Sequence, residues 1–182
     1  MFLVEKKVLI IYCHGCKKKG GNIMANSSIF ASDAVFVSHE TDQDELLKNI
    51  YDHLLESGYV KGDFLSHIIN REHNFPTGLS TKNLGADLPN IAIPHTEGEF
   101  VNKRLIVPVK LENPVLFHNM VNPDEELEVK FLFMLLETNP DGQAKLLSQV
   151  MDFLAKTPVE ELKHFFNFTD PEVIYEYLIQ KF

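Results

Sequence analysis

The feature that most constrains the fold is an unbroken apolar run over 131–136, inside a longer predicted strand over 129–136. Successive side chains of a strand point to opposite faces. A strand that is apolar at every position must therefore be covered on both faces. Shorter apolar runs predict further strands over 34–37, 91–93, 105–109 and 115–117. The sequence thus requires a sheet with other elements on each side.

Helical patterns with recognisable ends lie between these runs. Thr41 or Ser38 is expected to cap the first helix, which Gly58 ends. Thr157 is expected to cap a later helix whose first residue is a proline, and Asn113 with the following proline is expected to form a turn. Helices interspersed with short strands predict an α/β fold, in which a mixed β-sheet is flanked by helices on both faces (an α/β/α sandwich). The other helices are expected near 63–72, 139–154 and 170–178.

Length and charge limit the class of protein. With 182 residues the chain has the usual size of one domain. Its formal net charge of -9 disfavours nucleic-acid binding, which needs a basic face. No apolar run approaches the roughly 20 residues of a membrane-spanning helix. Cysteines occur only at 13 and 16, which suits a reducing cytoplasm. We expect a cytoplasmic protein with one domain over 34–182, preceded by a lead-in over 1–33.

The lead-in has two candidate interpretations. Cys13 and Cys16 form a CxxC pair, but a structural zinc needs a second pair and the following Lys/Gly-rich stretch is no redox helix. Lys-Lys-Gly-Gly at 18–21 is typical of a translated ribosome-binding sequence, and Met24 follows after a short spacer. Our hypothesis is that the native chain starts at Met24. N-terminal sequencing of natively expressed protein tests it, and a mature Met1 would refute it.

Motifs of common hydrolases and nucleotide-binding proteins are absent. The sequence has no HExxH, no Walker-type phosphate loop, no GxGxxG and no GxSxG. His67 and His73 stand six apart across the expected end of a helix, which is a poor spacing for a metal-ligand pair. Neither a metal nor an organic cofactor is expected.

Two turn-forming segments flank a short apolar run that ends in a histidine. Pro94 stops the run, so His95 lies at the end of a strand, a usual place for a working side chain. A neutral imidazole attacks phosphorus readily. The planar guanidinium of Arg71 suits phosphoryl oxygens, and Thr77 and Gly78 offer a hydroxyl and a backbone N–H. By spacing alone, the favoured interpretation is a structural histidine at the end of a strand, with Arg71 as a helix cap.

Three pieces of this region together resemble a family signature: Arg71-Glu72, Phe75-Pro76-Thr77-Gly78-Leu79 and Ile91-Ala92-Ile93-Pro94-His95. They resemble the enzyme IIA domains of the bacterial phosphoenolpyruvate-dependent sugar phosphotransferase system (PTS), in the fructose/mannitol class. The resemblance extends from about residue 35 to the C-terminus. It implies a mixed sheet flanked by helices, a phosphohistidine at His95, and a contact between Arg71 and the phosphoryl group.

Two departures from the pattern refine the resemblance. Fructose- and mannitol-type members usually have glycine after the Pro-His pair, where this chain has Thr96 followed by Glu97. They also tend to have a second active-site histidine where this chain has Gln143. Galactitol-type IIA proteins are similar in this respect, so the resemblance favours a galactitol-like branch. Gln143 can still donate an amide N–H to a phosphoryl oxygen.

The implied function is that of a phosphocarrier. Phospho-HPr would dock on an apolar and acidic patch around His95, and a cysteine of the cognate IIB protein or domain would receive the phosphoryl group. The resemblance implies no direct contact with sugar, and a link to the membrane only through the IIC permease complex. A regulatory module of the nitrogen type, phosphorylated on the same histidine, is the alternative. A binding module without phosphotransfer is a third, against which the intact signature argues. Among the other histidines, His73 is expected nearest the pocket.

Overall fold

The computed structural model describes residues 29–182, except for the side chain of Pro140. Within this part the chain forms a five-stranded mixed sheet in the order β1-β4-β5-β3-β2. The β1/β4 and β3/β5 pairs are parallel, and the β4/β5 and β2/β3 pairs are antiparallel. The strands are β1 (Phe36–Ser38), β2 (Gly78–Leu79), β3 (Asn90–Ala92), β4 (Leu105–His118) and β5 (Glu126–Leu136).

Helices cover both faces of this sheet. Side chains of β5 alternate, so that Leu132 and Met134 join one core cluster while Phe131 and Phe133 join another. The first cluster contains the apolar residues of α1 and α2, and the second contains those of α3, α4 and α5. The central, doubly buried position of β5 and the α/β/α sandwich are confirmed. The helices are α1 (Gln43–Glu56), α2 (Phe64–Asn74), α3 (Pro140–Lys156), α4 (Val159–Phe166) and α5 (Pro171–Lys181), with a 3-10 turn at Gly98–Phe100.

Of the two predicted ends of α1, the C-terminal end at Gly58 is confirmed and the N-terminal cap is wrong. Gly58 adopts the left-handed conformation with φ 72°, as expected of a residue that ends a helix. The N-terminal cap is Asp42 instead of Thr41 or Ser38, since its carboxylate accepts the N–H of Glu45 at 3.0 Å. A carboxylate there also interacts favourably with the helix dipole.

Two predicted boundaries inside the chain are wrong. Asn113 and Pro114 form no turn: they bulge out of the continuous strand β4, whose pairing with β5 shifts register between Lys110 and Val115. Proline has no backbone N–H to donate to the neighbouring strand, which a bulge tolerates because its residues are unpaired. The strand pairs with β5 again from Val115 onward. Thr157 ends α3, because its hydroxyl donates to the carbonyl of Phe153 at 2.7 Å. Pro158 then takes the capping position of α4.

No helix in the described part of the chain is long and apolar enough to cross a membrane. The CxxC pair and Met24 lie outside the described residues, so the interpretations of the lead-in stay predictions, as does the domain boundary at residue 34.

Candidate functional site

His95 is held by backbone hydrogen bonds on both sides of its strand. Just before it, the N–H of Ile93 donates to the carbonyl of Thr77 at 3.2 Å. The carbonyl of Pro94 accepts the N–H of Leu135 at 2.9 Å, and His95 itself forms a parallel bridge with Leu135. His95 therefore lies between the segment after α2 and the carboxyl end of β5, and its backbone position is fixed by the sheet.

The ring of His95 has a defined tautomer. Its Nδ1 lies 2.8 Å from the carbonyl oxygen of Ile93. A carbonyl oxygen only accepts hydrogen bonds, so Nδ1 carries the proton and Nε2 carries the lone pair. Burial lowers the pKa of His95 and the charge of Arg71 lowers it further, whereas the Ile93 carbonyl and Glu97 act in the opposite direction. At neutral pH the ring is uncharged and nucleophilic at Nε2.

Arg71 comes from the last turn of α2 and is half-buried. Its guanidinium lies over the ring of Phe75, 4.4 Å from the ring centroid. Its charge acts on both His95 and Glu97. The predicted pair of a neutral imidazole and a guanidinium is therefore brought together, and a cation–π contact helps to hold the arginine.

Thr77 and Gly78 lie beside this pair, but other contacts engage them. Both the N–H and the hydroxyl of Thr77 donate to the buried carboxylate of Glu72, at 2.8 and 2.7 Å. Burial raises the pKa of Glu72, and the bonds from Thr77 oppose that rise. A Cβ on Gly78 would stand 2.5 Å from the carbonyl oxygen of His118. These contacts give both residues a structural role, and their direct contact with a phosphoryl group stays a prediction.

Gln143 joins the first turn of α3 to the loop that carries His95. Its amide Nε2 donates to the carbonyl of Thr96 at 3.0 Å. The N-terminus of α3, where Asn139 caps the N–H of Asp141, is thereby tied to the residue after His95. The predicted residues His95, Arg71 and Gln143 thus converge on one region from the segment after β3, from α2 and from α3.

Glu137, which sequence reasoning missed, organises the loop between β5 and α3. Its carboxylate is 4% exposed, forms a 2.7 Å ion pair with Arg104, and accepts the N–H groups of Thr138 and Asn139. A Cβ on Gly142 would come within 2.4 Å of this carboxylate, so glycine leaves the room that Glu137 needs. The glutamate after an apolar strand was the available signal.

His67 and Glu97 form a second missed feature. Glu97 is exposed and accepts the hydroxyl of Thr96, which lowers its pKa, and the charges of Arg71 and His67 lower it further. His67 stacks on Phe100, with the two centroids 3.7 Å apart. His73, expected nearest the pocket, instead bonds to Asp44 at 2.9 Å. The signal that could have revealed His67 is its four-residue spacing from Arg71 on α2.

Among residues 29–182 no group of three or more His, Cys, Asp or Glu side chains is arranged to hold a metal ion. Around His95 the described groups include its own neutral imidazole, the guanidinium of Arg71, the amide of Gln143 and the carboxylate of Glu97. These groups suit nucleophilic attack on an anionic, electrophilic phosphorus.

Comparisons with known proteins agree with this chemistry. The chain is 28% identical, over 135 residues, to the PTS system galactitol-specific EIIA component of Escherichia coli (strain K12), covering 69% of this chain and 86% of the relative. It is 27% identical over 147 residues to the transcriptional regulator ManR of Bacillus subtilis (strain 168), covering 80% of this chain and 20% of ManR. The predicted likeness to galactitol-type proteins is confirmed.

A solved structure shares the fold. This is the complex of enzyme IIAMTL with phosphorylated enzyme IIBMTL from Escherichia coli, with a TM-score of 0.59 and 18% identity, over 83% of this chain and 96% of that one. The sequence model described as "Phosphoenolpyruvate-dependent sugar phosphotransferase system, EIIA 2" matches residues 28–181, most of the chain. The chain therefore belongs to the EIIA 2 family of the phosphoenolpyruvate-dependent sugar phosphotransferase system.

Proposed function

We propose that this chain is a phosphocarrier that accepts a phosphoryl group from phospho-HPr on Nε2 of His95 and passes it to a cysteine of a cognate IIB protein or domain. The observation that carries the proposal is the hydrogen bond from Nδ1 to the Ile93 carbonyl. It leaves the lone pair on Nε2 of a ring whose lowered pKa keeps it neutral at pH 7. Family membership supports phosphoryl as the transferred group.

The acceptance step balances without an added proton. The Nε2 lone pair attacks phosphorus opposite the P–N bond of the donor. As the new Nε2–P bond forms, the donor P–N bond breaks and its electron pair returns to the donor ring. The His95 ring gains positive charge, which the Ile93 carbonyl stabilises through the Nδ1–H bond. In the second step a IIB thiolate attacks, a P–S bond forms and the P–Nε2 bond breaks.

The phosphoryl oxygens need cationic and neutral donors. Arg71 supplies the charge, and its planar fork fits two oxygens at once. The amide of Gln143 has two N–H donors and uses one on Thr96, which leaves the other for a phosphoryl oxygen. Gly78 and Thr77 shape the adjoining strand through their contacts with His118 and Glu72. No metal is required because the donor is an activated phosphoramidate.

An exposed apolar surface beside the site suits docking of the partners. We call Phe75, Met120 and Val121 the apolar patch: their exposed fractions are 63%, 45% and 82%. The hydrogen bond from Met120 N–H to the Gly78 carbonyl, 2.8 Å long, places the β4–β5 turn beside β2. Phe75 is joined to Arg71 by the cation–π contact. Together with the net charge of -9, this surface complements a basic partner with an apolar centre.

The galactitol-specific relative favours a role in the uptake of galactitol or a similar polyol. In that role the protein works in the cytoplasm and reaches the membrane only through the IIC permease. The likeness to ManR favours, as a second candidate, a regulatory role with the same phosphohistidine. Phosphoryl transfer onto a purified IIB protein, with uptake lost on deletion, separates transport from regulation.

The test is incubation with phosphoenolpyruvate, enzyme I and HPr, followed by intact mass measurement. We expect one acid-labile phosphoryl group on the wild type and none on His95→Ala. His73→Ala is the matched control, because His73 is exposed and pairs with Asp44 instead. Absence of phosphorylation in the wild type, or its persistence in His95→Ala, would overturn the proposal.

A further inference from the structure

Glu97 stands out because a carboxylate beside a phosphoryl site opposes the bound group. It lies two residues after His95 in the exposed turn that leads into Gly98–Phe100. Its side chain is folded back onto its own loop, since it accepts the hydroxyl of the buried Thr96. The Thr96 carbonyl in turn accepts the amide of Gln143. The carboxylate is thus attached to the same loop segment that positions His95.

Two basic residues of α2 act electrostatically on this carboxylate. His67 and Arg71 stand four residues apart, so both lie on one side of the helix. The ring of His67 stacks on Phe100, with centroids 3.7 Å apart and planes at 23°, which docks the turn after Glu97 against that side. Both basic groups stabilise the charge of Glu97, and Arg71 and Glu97 act in opposite senses on His95. His67, Arg71, Glu97 and His95 therefore form one electrostatic group.

We propose that Glu97 is a built-in counter-anion that offsets the charge of Arg71 while His95 is free and opposes the phosphoryl group once His95 carries it. This inference rests on the proposed phosphocarrier function. A phosphoryl group brings about two negative charges to the site, so it competes with Glu97 for Arg71. The consequence is a less stable phospho-His95 and a greater tendency to pass the phosphoryl group on.

The charge of the modified ring offsets part of this loss of stability, since the ring gains one positive charge against about two negative charges on the phosphoryl group, and it adds a separate effect on the rate of transfer. Phosphorylated on Nε2 and protonated on Nδ1, the ring is cationic, and a nearby carboxylate favours that form. A cationic ring is the better leaving group when the P–N bond breaks. Glu97 therefore weakens the hold on the phosphoryl oxygens and also assists departure of the imidazole.

The experiment compares Glu97→Gln with Glu99→Gln. Glu99 is an exposed carboxylate in the same turn, and its side chain has no hydrogen bond or ion pair with the described residues. Each protein is equilibrated with HPr and phospho-HPr, and both phosphorylated fractions are read by intact mass. The equilibrium constant for free proteins does not depend on docking affinity, so surface effects cancel.

We expect Glu97→Gln to shift the equilibrium toward the phosphorylated carrier by about three- to tenfold, as removal of one partly screened charge at short range predicts. Glu99→Gln should stay within about twofold of the wild type, and Glu97→Asp should restore most of the wild-type value. NMR of the free proteins should show a lower His95 pKa in Glu97→Gln alone.

Equal shifts in the two glutamine variants, or a shift toward phospho-HPr in Glu97→Gln, would overturn the role of Glu97 while leaving the phosphocarrier function intact. A wild-type chain that accepts no phosphoryl group on His95 would overturn both. Glu97→Asp keeps the charge. If it shifts the phosphorylation equilibrium as far as Glu97→Gln does, the shift comes from structural damage and the inference is also refuted.

Discussion

The N–H at Nδ1 of His95 donates a hydrogen bond to the carbonyl oxygen of Ile93, which lies 2.8 Å from Nδ1 and two residues earlier in the chain. This single contact fixes which ring nitrogen carries the free lone pair. The same carbonyl belongs to the residue whose N–H bonds to Thr77, so the acceptor is itself held by the sheet. Ring and acceptor therefore move as one rigid unit, and the orientation of Nε2 does not depend on a mobile side chain.

The first prediction concerns the position of the phosphoryl group. We expect the phosphohistidine to form on Nε2 alone, because Nδ1 has no free lone pair while it donates to Ile93. Nitrogen–phosphorus coupling in NMR of the labelled phosphoprotein distinguishes the two isomers. A phosphoryl group on Nδ1 would contradict the tautomer.

The second prediction concerns pH. The folded pKa of His95 is below the ordinary value of 6.5, so the unfolded chain binds more protons just below that pH. The contribution of His95 to stability should therefore fall as the pH drops through 6.5 and level off below its folded pKa. Arg71→Gln should raise the His95 pKa, because it removes a nearby positive charge.

NMR titration of the imidazole C–H signals measures this pKa directly. Lys145→Gln is a suitable control, because it removes a cation from an exposed position on α3. A His95 pKa at or above the ordinary value, or one that is unmoved by Arg71→Gln, would show that the site is solvated and that the arginine is too far to act.

The third prediction tests the apolar patch. Val121 is 82% exposed, so Val121→Asp should leave stability unchanged while it weakens partner docking. We expect the KM for phospho-HPr to rise about three- to tenfold, with the phosphorylation equilibrium unaltered. Val173→Asp, on exposed residue 173 of α5, supplies the same chemical change away from the patch. Equal KM values for both variants would place docking elsewhere.

The fourth prediction concerns Gly142. A glycine-to-alanine change inside a helix usually stabilises by about 1 kcal/mol. Here the new methyl group would stand 2.4 Å from the buried carboxylate of Glu137, so Gly142→Ala should instead destabilise by about 1–3 kcal/mol. Urea unfolding measures the difference. Gly62→Ala, which meets no atom within 4 Å, is the control. A stabilised Gly142→Ala would mean that Glu137 readily moves aside.

The order of strands and helices could be predicted where local chemistry decides it. The apolar run of β5 and the left-handed Gly58 are of this kind. The bulge at Asn113 could not be predicted, because a proline signals a turn and a bulge equally well and only the partner strand decides. The role of Thr157 could not be predicted either, because its hydroxyl bonds to a carbonyl of the preceding helix α3 and does not cap α4.

The candidate site shows the same division. His95 and Arg71 were identified from a local signature, and in the structure the charge of Arg71 acts on His95, while their roles in phosphoryl transfer stay predictions. Glu137 and His67 act through residues distant in sequence, Arg104 and Phe100, so the local signals alone did not reveal their roles. Glu97 was noticed only as the residue after Thr96, which occupies the usual glycine position, and its role depends on basic residues contributed by another element.

Arg71 and Gln143 come from helices that pack on opposite faces of the sheet, and they meet around His95, beside the carboxyl end of β5. Neither layer contains a site of its own. Cutting the chain between β5 and α3 would leave each fragment without a complete set of the proposed phosphoryl ligands. Under the proposed function, loosening of either layer should abolish phosphorylation of His95 before global unfolding begins. Phosphorylation is then expected to depend on the assembled sandwich, and it can serve as a readout of the cooperativity of the fold.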